Sequence, residues 1–243
     1  MKEQNMEYKG NDAIRYLNNN NSEILNVVNY LNNNKGPLFS FDKLKITIHK
    51  DRGYKTIEFV GTNSIINIDK KGIISGDSGG TKDNGQLNEF FNTNRLLPNK
   101  TYKVNRVAKY KTDSEGRVIY AFADRKAMYN SPIKISSTRD TNTQKTAREN
   151  NKGYNGGHIF ANSTNGCNNV INQVPMLAKD NKGGDWRALE KKESEWIVAG
   201  MQVYTTRKII YKEAGKKIIK SIKTENKVKF DTKFITDTFD ASI

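Results

Sequence analysis

The chain has 243 residues, of which 41 are Lys or Arg and 26 are Asp or Glu, so its formal net charge is +15 at neutral pH. A chain of this length can bury one good hydrophobic core, or one core with a small accessory module. Its single cysteine excludes an internal disulfide and a thiolate metal site. No apolar run approaches the ~20 residues of a membrane span, and the N-terminus lacks the apolar core of a signal peptide.

The first part of the chain combines a helical segment with strands. Residues 11–34 carry apolar side chains three and four positions apart, which predicts a helical pair or one interrupted helix. Residues 41–74 alternate apolar and polar side chains between glycine turns, which predicts strands. Residues 75–100 are rich in Gly, Asn and Ser, and they predict a loop or linker that ends this segment.

The second part begins with a hairpin and ends in basic strands. Residues 101–110 and 117–123 are strand-like and are joined by a glycine-containing turn. After a polar stretch at 130–152, a helix is predicted from about residue 184 to 199. The strands predicted after this helix are 201–212, 216–223 and a third near 227–235.

The positive charge is concentrated in this second part. Residues 1–100 carry 14 basic and 11 acidic side chains, whereas residues 101–243 carry 27 and 15. The densest positive run, 201–233, has ten basic and three acidic side chains. Such a surface would attract a polyanion such as nucleic acid, although a lysine-rich strand can also be only a solvated face.

One segment combines the residue types that phosphodiester chemistry needs. His158, one of two histidines, follows Gly156 and Gly157, so backbone can come close to a ligand there. A second Gly-Gly step opens the later helix, with Asn181 before it and Glu190 inside it. A lone imidazole with amide and carboxylate oxygens is a poor zinc site, but it suits Mg²⁺ beside a general base. In a basic chain, this combination predicts a phosphodiester substrate.

The order of short motifs across residues 101–223 resembles that of a known enzyme family. The motifs are Tyr-x-Thr-Asp-x-x-Gly-Arg, Gly-Gly-His, Asn-x-Val-Pro-Met and Asn-x-Gly-Gly-x-Trp-x-x-Leu-Glu. Together they resemble the DNA/RNA non-specific endonucleases of the ββα-metal (His-Me finger) superfamily, nearest to the nuclease domains of type VII secreted bacterial toxins. The resemblance covers about half of the chain, and residues 1–98 have no part in it.

The resemblance implies an α+β fold, in which an antiparallel sheet carries a ββα-metal (His-Me finger) catalytic motif. A small N-terminal helix-and-hairpin region stands in front of it. We therefore expect an accessory region of unknown role at 1–98 and a nuclease domain at 99–243. On this division, a protein that begins near residue 99 should keep its activity.

The implied activity is Mg²⁺-dependent, sequence-non-specific endonucleolytic hydrolysis of DNA, with RNA as an alternative substrate and Mn²⁺ as a substitute metal. The implied biological role is that of a toxin effector, exported without a cleavable signal peptide. The expected partners are nucleic acid and an acidic inhibitor (immunity) protein, and no membrane.

The resemblance also assigns roles to the residues of the site. His158 would be the general base, and an imidazole with an ordinary pKa of about 6.5 suits that role at neutral pH. Asn181 would be the one protein ligand of the metal, and Glu190 would hold a metal-bound water. Arg148 or Arg139 would clamp a phosphate oxygen.

Three further residues are expected to contact the substrate, together with Arg139: Gln144, Asn172 and Arg187. For Asn172 two roles stay open, since it would orient either the loop or the substrate. The motif Asp51-Arg52-Gly53-Tyr54 has a tyrosine where the base would stand, so we interpret it as a hairpin turn, with His49 as a strand or surface residue.

One position departs from the family pattern. The family usually has an acidic residue three positions before the histidine, where this chain has Asn155. Asparagine keeps the size and can accept a hydrogen bond, but it lacks the charge. Two alternatives to an active nuclease therefore remain. One is an attenuated nuclease-fold protein that binds nucleic acid without cutting it, and the other is an interaction module in which residues 1–98 dock a partner.

Overall fold

The computed structural model describes residues 5–94, 96–138, 141–148, 153–214, 216 and 218–242. The helices are α1 (Gly10–Asn20), α2 (Ser22–Asn34), α3 (Arg125–Asn130), α4 (Thr141–Arg148), α5 (Ala178–Lys182) and α6 (Asp185–Val198). The strands are β1 (Met6–Lys9), β2 (Leu44–His49), β3 (Tyr54–Phe59), β4 (Ile65–Asp69), β5 (Ile74–Gly76), β6 (Thr101–Val104), β7 (Ala108–Thr112), β8 (Val118–Asp124), β9 (Tyr154–His158), β10 (Gln173–Leu177), β11 (Gln202–Tyr211), β12 (Ile219–Phe230) and β13 (Lys233–Ser242). Within these ranges, no helix has both the length and the apolar character needed to cross a membrane.

Eleven of these strands form one sheet, and β9 and β10 form a separate antiparallel ribbon. The order in the sheet is β1-β2-β3-β4-β5-β6-β7-β8-β11-β12-β13. Every neighbouring pair is antiparallel except β5 and β6, which run parallel. The fold is therefore α+β with a mostly antiparallel sheet, as the sequence predicts.

The N-terminal strands continue the same sheet. The parallel pairing of β5 with β6 carries the sheet across residue 98. The buried side chains of α1 and α2 belong to one hydrophobic cluster with Tyr102, Tyr110 and Trp186 of the later segment. The region expected in front of the sheet is thus one end of that same sheet.

The two faces of this sheet differ in what covers them. Along β11, Val203, Thr205 and Arg207 are buried and the residues between them are more exposed. Arg207 contacts Glu193 of α6, so the buried set points toward that helix. We call this side the inner face and the opposite side the outer face. Residues directly paired across strands share a face, and one inner row is Ile68, Ile74, Tyr102, Tyr110, Ala121 and Arg207.

The helical pair at 11–34, the strands within 41–74, the turn at residue 53 and the helix near 184–199 are all confirmed. The single strand predicted over 101–110 is wrong. Asn105 and Arg106 have φ angles of 53° and 63°, so they make a tight turn that divides this segment into β6 and β7. Asparagine tolerates the left-handed region, but no glycine marks the turn in the sequence.

Other bounds also differ from the prediction. The last two strands are longer or later than expected, because the turn between them lies at Asp231 (φ 51°), whereas the predicted strands 216–223 and 227–235 leave a break at residues 224–226. The pattern also missed β1, which pairs with β2. Residues 77–94 and 96–100 form a loop, as predicted for this part of the chain, but Phe90 and Phe91 are buried, so this loop is part of the core.

Candidate active site

A β-ribbon followed by helices carries the candidate site. His158 is the last residue of β9 and pairs with Gln173, the first residue of β10. The loop between them contains two short 3₁₀ turns, and α5 and α6 follow β10 directly. The order is therefore strand, strand, helix, with His158 where the chain leaves the ribbon and enters the loop.

The two glycines before His158 make room for the protein itself. A Cβ atom on Gly156 would lie 2.9 Å from the Cα of Gln144 in α4, and one on Gly157 would lie 2.8 Å from the Sδ of Met176 in β10. These contacts give the glycines a packing role that the sequence did not predict. The glycines allow α4 and the β10 side chain to pack against β9, which fixes the strand that ends in His158.

Asn168 determines which nitrogen of the His158 ring carries the proton. Its Nδ2 donates to the carbonyl oxygens of Ser136 at 2.9 Å and Thr138 at 3.4 Å, which fixes the orientation of the amide. Its Oδ1 accepts from Asn162 at 3.1 Å and lies 3.2 Å from the Nε2 of His158. Because this oxygen can only accept, Nε2 must be the protonated nitrogen of the neutral ring. Nδ1 is then the basic nitrogen.

The loop that contains Asn168 is held by the segment before residue 98. Asn169 is fully buried and donates to the carbonyl oxygens of Ser78 and Asn88, both at 3.1 Å. The backbone NH of Ile171 donates to the carbonyl oxygen of Phe91 at 3.1 Å. These bonds tie the C-terminal part of the loop, next to β10, to the N-terminal part of the chain.

The side chain of Asn172 holds the same loop together through hydrogen bonds to other loop residues. Its Oδ1 accepts from the Tyr110 hydroxyl and the Phe160 backbone NH, both at 3.0 Å. Its Nδ2 donates to the carbonyl oxygens of Phe160 at 2.9 Å and Cys167 at 2.8 Å. The side chain has no exposed surface, so these contacts fit the loop-orienting role and leave it nothing with which to touch a substrate.

Helix α6 is attached to the residue that follows His158. The guanidinium of Arg207 lies 4.4 Å from the ring centroid of Trp186, which is fully buried in the first turn of α6. The same guanidinium donates to the carbonyl oxygen of Ile159 and forms an ion pair with Glu193 at 2.6 Å. Arg207 therefore connects α6, the sheet and the end of β9 in one buried cluster.

Glu193 is the central carboxylate of that cluster. It also pairs with the buried Arg125 at 2.9 Å and accepts a hydrogen bond from Asn226 at 3.1 Å. Burial by itself would raise the pKa of this carboxyl group, but the charges of Arg207 and Arg125 outweigh it, and the pKa is lowered overall. Glu193 is therefore ionised and holds α6 against the sheet.

Glu190 stands one turn earlier on α6 and is only 8% exposed. Burial raises its pKa, although Arg207 and Arg187 oppose the change. The guanidinium of Arg187 lies 3.2 Å from its Oε2. Glu190 is thus a largely buried carboxylate with one exposed cationic partner.

Asn181, the predicted metal ligand, and Asn155, which differs from the family pattern, lie on neighbouring elements. Asn181 is half-buried on α5, whose first residue, Ala178, donates to the carbonyl oxygen of Gly153 at the start of the β-ribbon. Asn155 is half-buried on β9, opposite Met176. Among the described residues, no group of three or more His, Cys, Asp or Glu side chains could hold a metal ion.

The remaining predicted contacts fall around α4 and α6. The backbone of Gln144 packs over Gly156, and Arg187 is exposed beside Glu190. Arg148 is the last residue of α4, but its side chain lies outside the described residues, as does the whole of Arg139.

Comparison with known proteins identifies the chain. The sequence profile of the DNA/RNA non-specific endonuclease family matches residues 98–229, which is more than half of the chain. The chain belongs to this family. It is therefore an endonuclease that acts on nucleic acid, and the matched segment contains the whole ββα segment.

Two solved structures are also similar to this chain. Both are of NucA from Streptococcus agalactiae, one with no metal bound and one with magnesium ion bound. Each is 15% identical in sequence to this chain. The matched region covers 63% of this chain and 76% of the NucA chain, and the TM-score is 0.39. No curated protein is similar enough in sequence to match.

Proposed function

We propose that this endonuclease is Mg²⁺-dependent and uses His158 as its general base. The observation that supports this most directly is the contact of Nε2 with Asn168, because it leaves Nδ1 as the nitrogen able to take up a proton. A neutral imidazole in a fixed tautomer is what general-base catalysis near neutral pH requires.

In the proposed reaction, Nδ1 of His158 takes a proton from a water molecule as the water oxygen bonds to phosphorus. The bond from phosphorus to the 3′ oxygen breaks, and the leaving oxygen takes a proton from solvent. Asn168 keeps the Nε2 proton in place and stabilises the imidazolium that forms, since its oxygen accepts that hydrogen bond throughout. Asn168 is a positioning residue here, because it acts through His158.

The side chains that the sequence resemblance assigns to this site suit a hard cation better than zinc. Asn181 would be the direct ligand, and the largely buried Glu190 would hold a metal-bound water. Amide and carboxylate oxygens with several waters are typical of Mg²⁺ sites. When bound, the metal would polarise the scissile phosphate and stabilise the charge on the leaving oxygen.

We also propose a biological setting, on the basis of the sequence resemblance and the net charge of +15. The protein acts as a toxin effector that is exported without a cleavable signal peptide, and an acidic inhibitor protein protects the producing cell. Strong positive charge suits sequence-tolerant binding through phosphates, and it would also favour a strongly acidic inhibitor.

Incubation of the purified full chain with plasmid DNA tests the reaction. We expect cutting with Mg²⁺ or Mn²⁺, and none when a chelator is present. Parallel incubations with single-stranded DNA and RNA establish the substrate range. Intact plasmid at high protein concentration with either metal would contradict the proposal.

A second candidate function rests on Asn155, which stands where the family usually has an acidic residue. The protein would then bind nucleic acid with its catalysis attenuated. Asn155→Asp distinguishes the two, because it restores the charge at a half-buried position of β9 without a change in size. A large gain in the cutting rate supports attenuation, whereas an unchanged rate in an active protein removes this candidate.

A further inference from the structure

The outer face of the sheet carries a row of partly exposed aromatic rings. Phe122 of β8 and Tyr204 of β11 lie with ring centroids 6.3 Å apart and planes 9° from parallel. Tyr204 is in turn 6.0 Å from Phe234 of β13, whose exposed fraction is 52%. The row therefore crosses the sheet from β8 to β13 on the side away from α6.

Lysines surround this row. The outer-face lysines of β6 to β13 are Lys103, Lys109, Lys111, Lys208, Lys223, Lys227 and Lys229. On the same strands the described outer-face carboxylates are Asp124, Glu225 and Asp240, and Asp124 is occupied in capping α3. Two of the lysines pair loosely with the other two carboxylates, both at 3.7 Å. The surface is therefore strongly cationic.

This surface is separate from the candidate active site. Ala121 and Arg207 lie opposite each other on the inner face, and Arg207 reaches the residue next to His158. Phe122 is the next residue along β8 and so points to the other side. The aromatic row and the catalytic histidine are on opposite sides of one sheet.

We propose that this outer face binds a single strand of nucleic acid, with bases stacked on Phe122, Tyr204 and Phe234 and phosphates next to the lysines. Partly exposed rings between lysines are the features with which sheet surfaces bind unpaired strands, because each base offers a stacking face. An acidic protein would need the lysines but not this row of rings. The inference rests on the proposed function only in the class of its ligand.

Binding of a fluorescent oligothymidylate of about 16 nucleotides tests the proposal. The measurement uses the full chain with His158→Ala, so that cutting does not interfere. The double variant Phe122→Leu and Tyr204→Leu keeps apolar bulk but removes two rings. The matched control is Tyr8→Leu with Tyr16→Leu, a stacked pair with centroids 4.7 Å apart in the N-terminal region.

We expect the outer-face double variant to weaken binding about tenfold or more, while the control variant binds as the parent does. Lys229→Gln should lower the slope of log K against log salt by about 0.7, and Lys71→Gln, in an exposed turn, should not. Equal binding by all the variants, each with the circular dichroism of the parent, would overturn the proposal. So would ring-independent binding of polyglutamate as tight as that of the oligonucleotide.

The same substitutions with His158 intact separate this inference from the proposed function. On long single strands we expect KM to rise with kcat unchanged, and on very short oligonucleotides we expect no change. A protein that binds through the rings but never cuts contradicts only the proposed function. A protein that cuts normally with ring-independent binding contradicts only the inference about the outer face.

Discussion

The hydrogen bond with Asn168 fixes the tautomer on which the proposed role of His158 depends. Histidine can carry its proton on either nitrogen, and only the partner of one nitrogen decides which. Here that partner is Asn168, whose amide is held in one orientation by two backbone carbonyl groups. The proposed base and the residue that orients it are thus both held in place without substrate.

Substitutions of Asn168 should show whether its side chain orients the His158 ring or only fills space beside it. Asn168→Leu removes the acceptor, and we expect the cutting rate to fall about 100-fold, at the lower end of what a general base contributes. Asn168→Asp keeps an acceptor and adds a negative charge, which raises the pKa of the neighbouring imidazole. Because the base must be unprotonated, the acidic limb of the profile of kcat/KM against pH should then move to higher pH. A leucine variant with wild-type rate and pH profile contradicts the assignment.

The sequence points to His158 as the proposed base, but it does not reveal the residues that hold the ring in place. His158, Asn181 and Glu190 were recognisable because they stand in motifs of fixed order. Asn168 is one asparagine among many in the chain, and only the folded loop brings it to the imidazole. The role of Arg207 could not be predicted either, because in the sequence a buried arginine in a basic strand cannot be distinguished from its solvent-exposed neighbours.

Among the elements, α6 depends most on buried charge. Two arginines, Arg125 and Arg207, have no exposed surface, and Glu193 is the carboxylate between them. Removal of one partner from a buried ion pair leaves charge without compensation in a medium of low polarity. The attachment of α6, and with it Glu190, therefore requires Glu193 to be ionised.

Glu193→Gln should cost about 3–5 kcal/mol of unfolding free energy, whereas Glu195→Gln, on the same helix but exposed, should cost almost nothing. The folded-state pKa of Glu193 is lowered, so its contribution is present above the unfolded value of about 4.3 and is lost as pH falls through the folded value. Urea unfolding at pH 7 and in this acidic range measures both effects. The glutamine variant should lose less stability on acidification than the wild type; equal losses contradict this account.

The packing of α4 on β9 gives a second prediction for the elements. Gly156→Ala places a methyl group 2.9 Å from the backbone of α4, so the helix must move. We expect a loss of about 1–3 kcal/mol in stability, together with slower cutting. Gly183→Ala is the control, because nothing lies within 4 Å of its added methyl group. Identical behaviour of the two variants would show that this contact does not position the site.

Most elements were predictable because amphipathic periodicity and glycine turns are local signals. The exceptions have physical causes. Asn105 and Arg106 form a left-handed turn without glycine, and β12 continues through lysines whose outward position only the sheet reveals. The contacts of the 77–100 loop with the active-site loop are long-range and have no local signature.

Across the whole molecule, the N-terminal segment and the nuclease segment share one sheet. The family match begins at residue 98, but β6 pairs there with β5, and the active-site loop bonds to Ser78, Asn88 and Phe91. A protein that begins at residue 99 would lack these partners. The division into 1–98 and 99–243 remains a prediction, and these contacts argue that the second part does not work alone.

We therefore expect a chain that begins at residue 99 to show neither cooperative unfolding nor cutting. Thermal unfolding monitored by near-ultraviolet circular dichroism, together with the plasmid assay, checks both. If the truncated protein cuts at the wild-type rate, residues 1–98 are an accessory module and the N-terminal bonds to the loop are dispensable.

Whether His158 is the base can be determined from the rate at which His158→Ala cuts plasmid DNA with saturating Mg²⁺. We predict a rate at least 100-fold below that of the wild type, with unchanged affinity for uncut DNA and an unchanged unfolding temperature. A folded alanine variant that cuts as fast as the wild type would show that His158 is not the base.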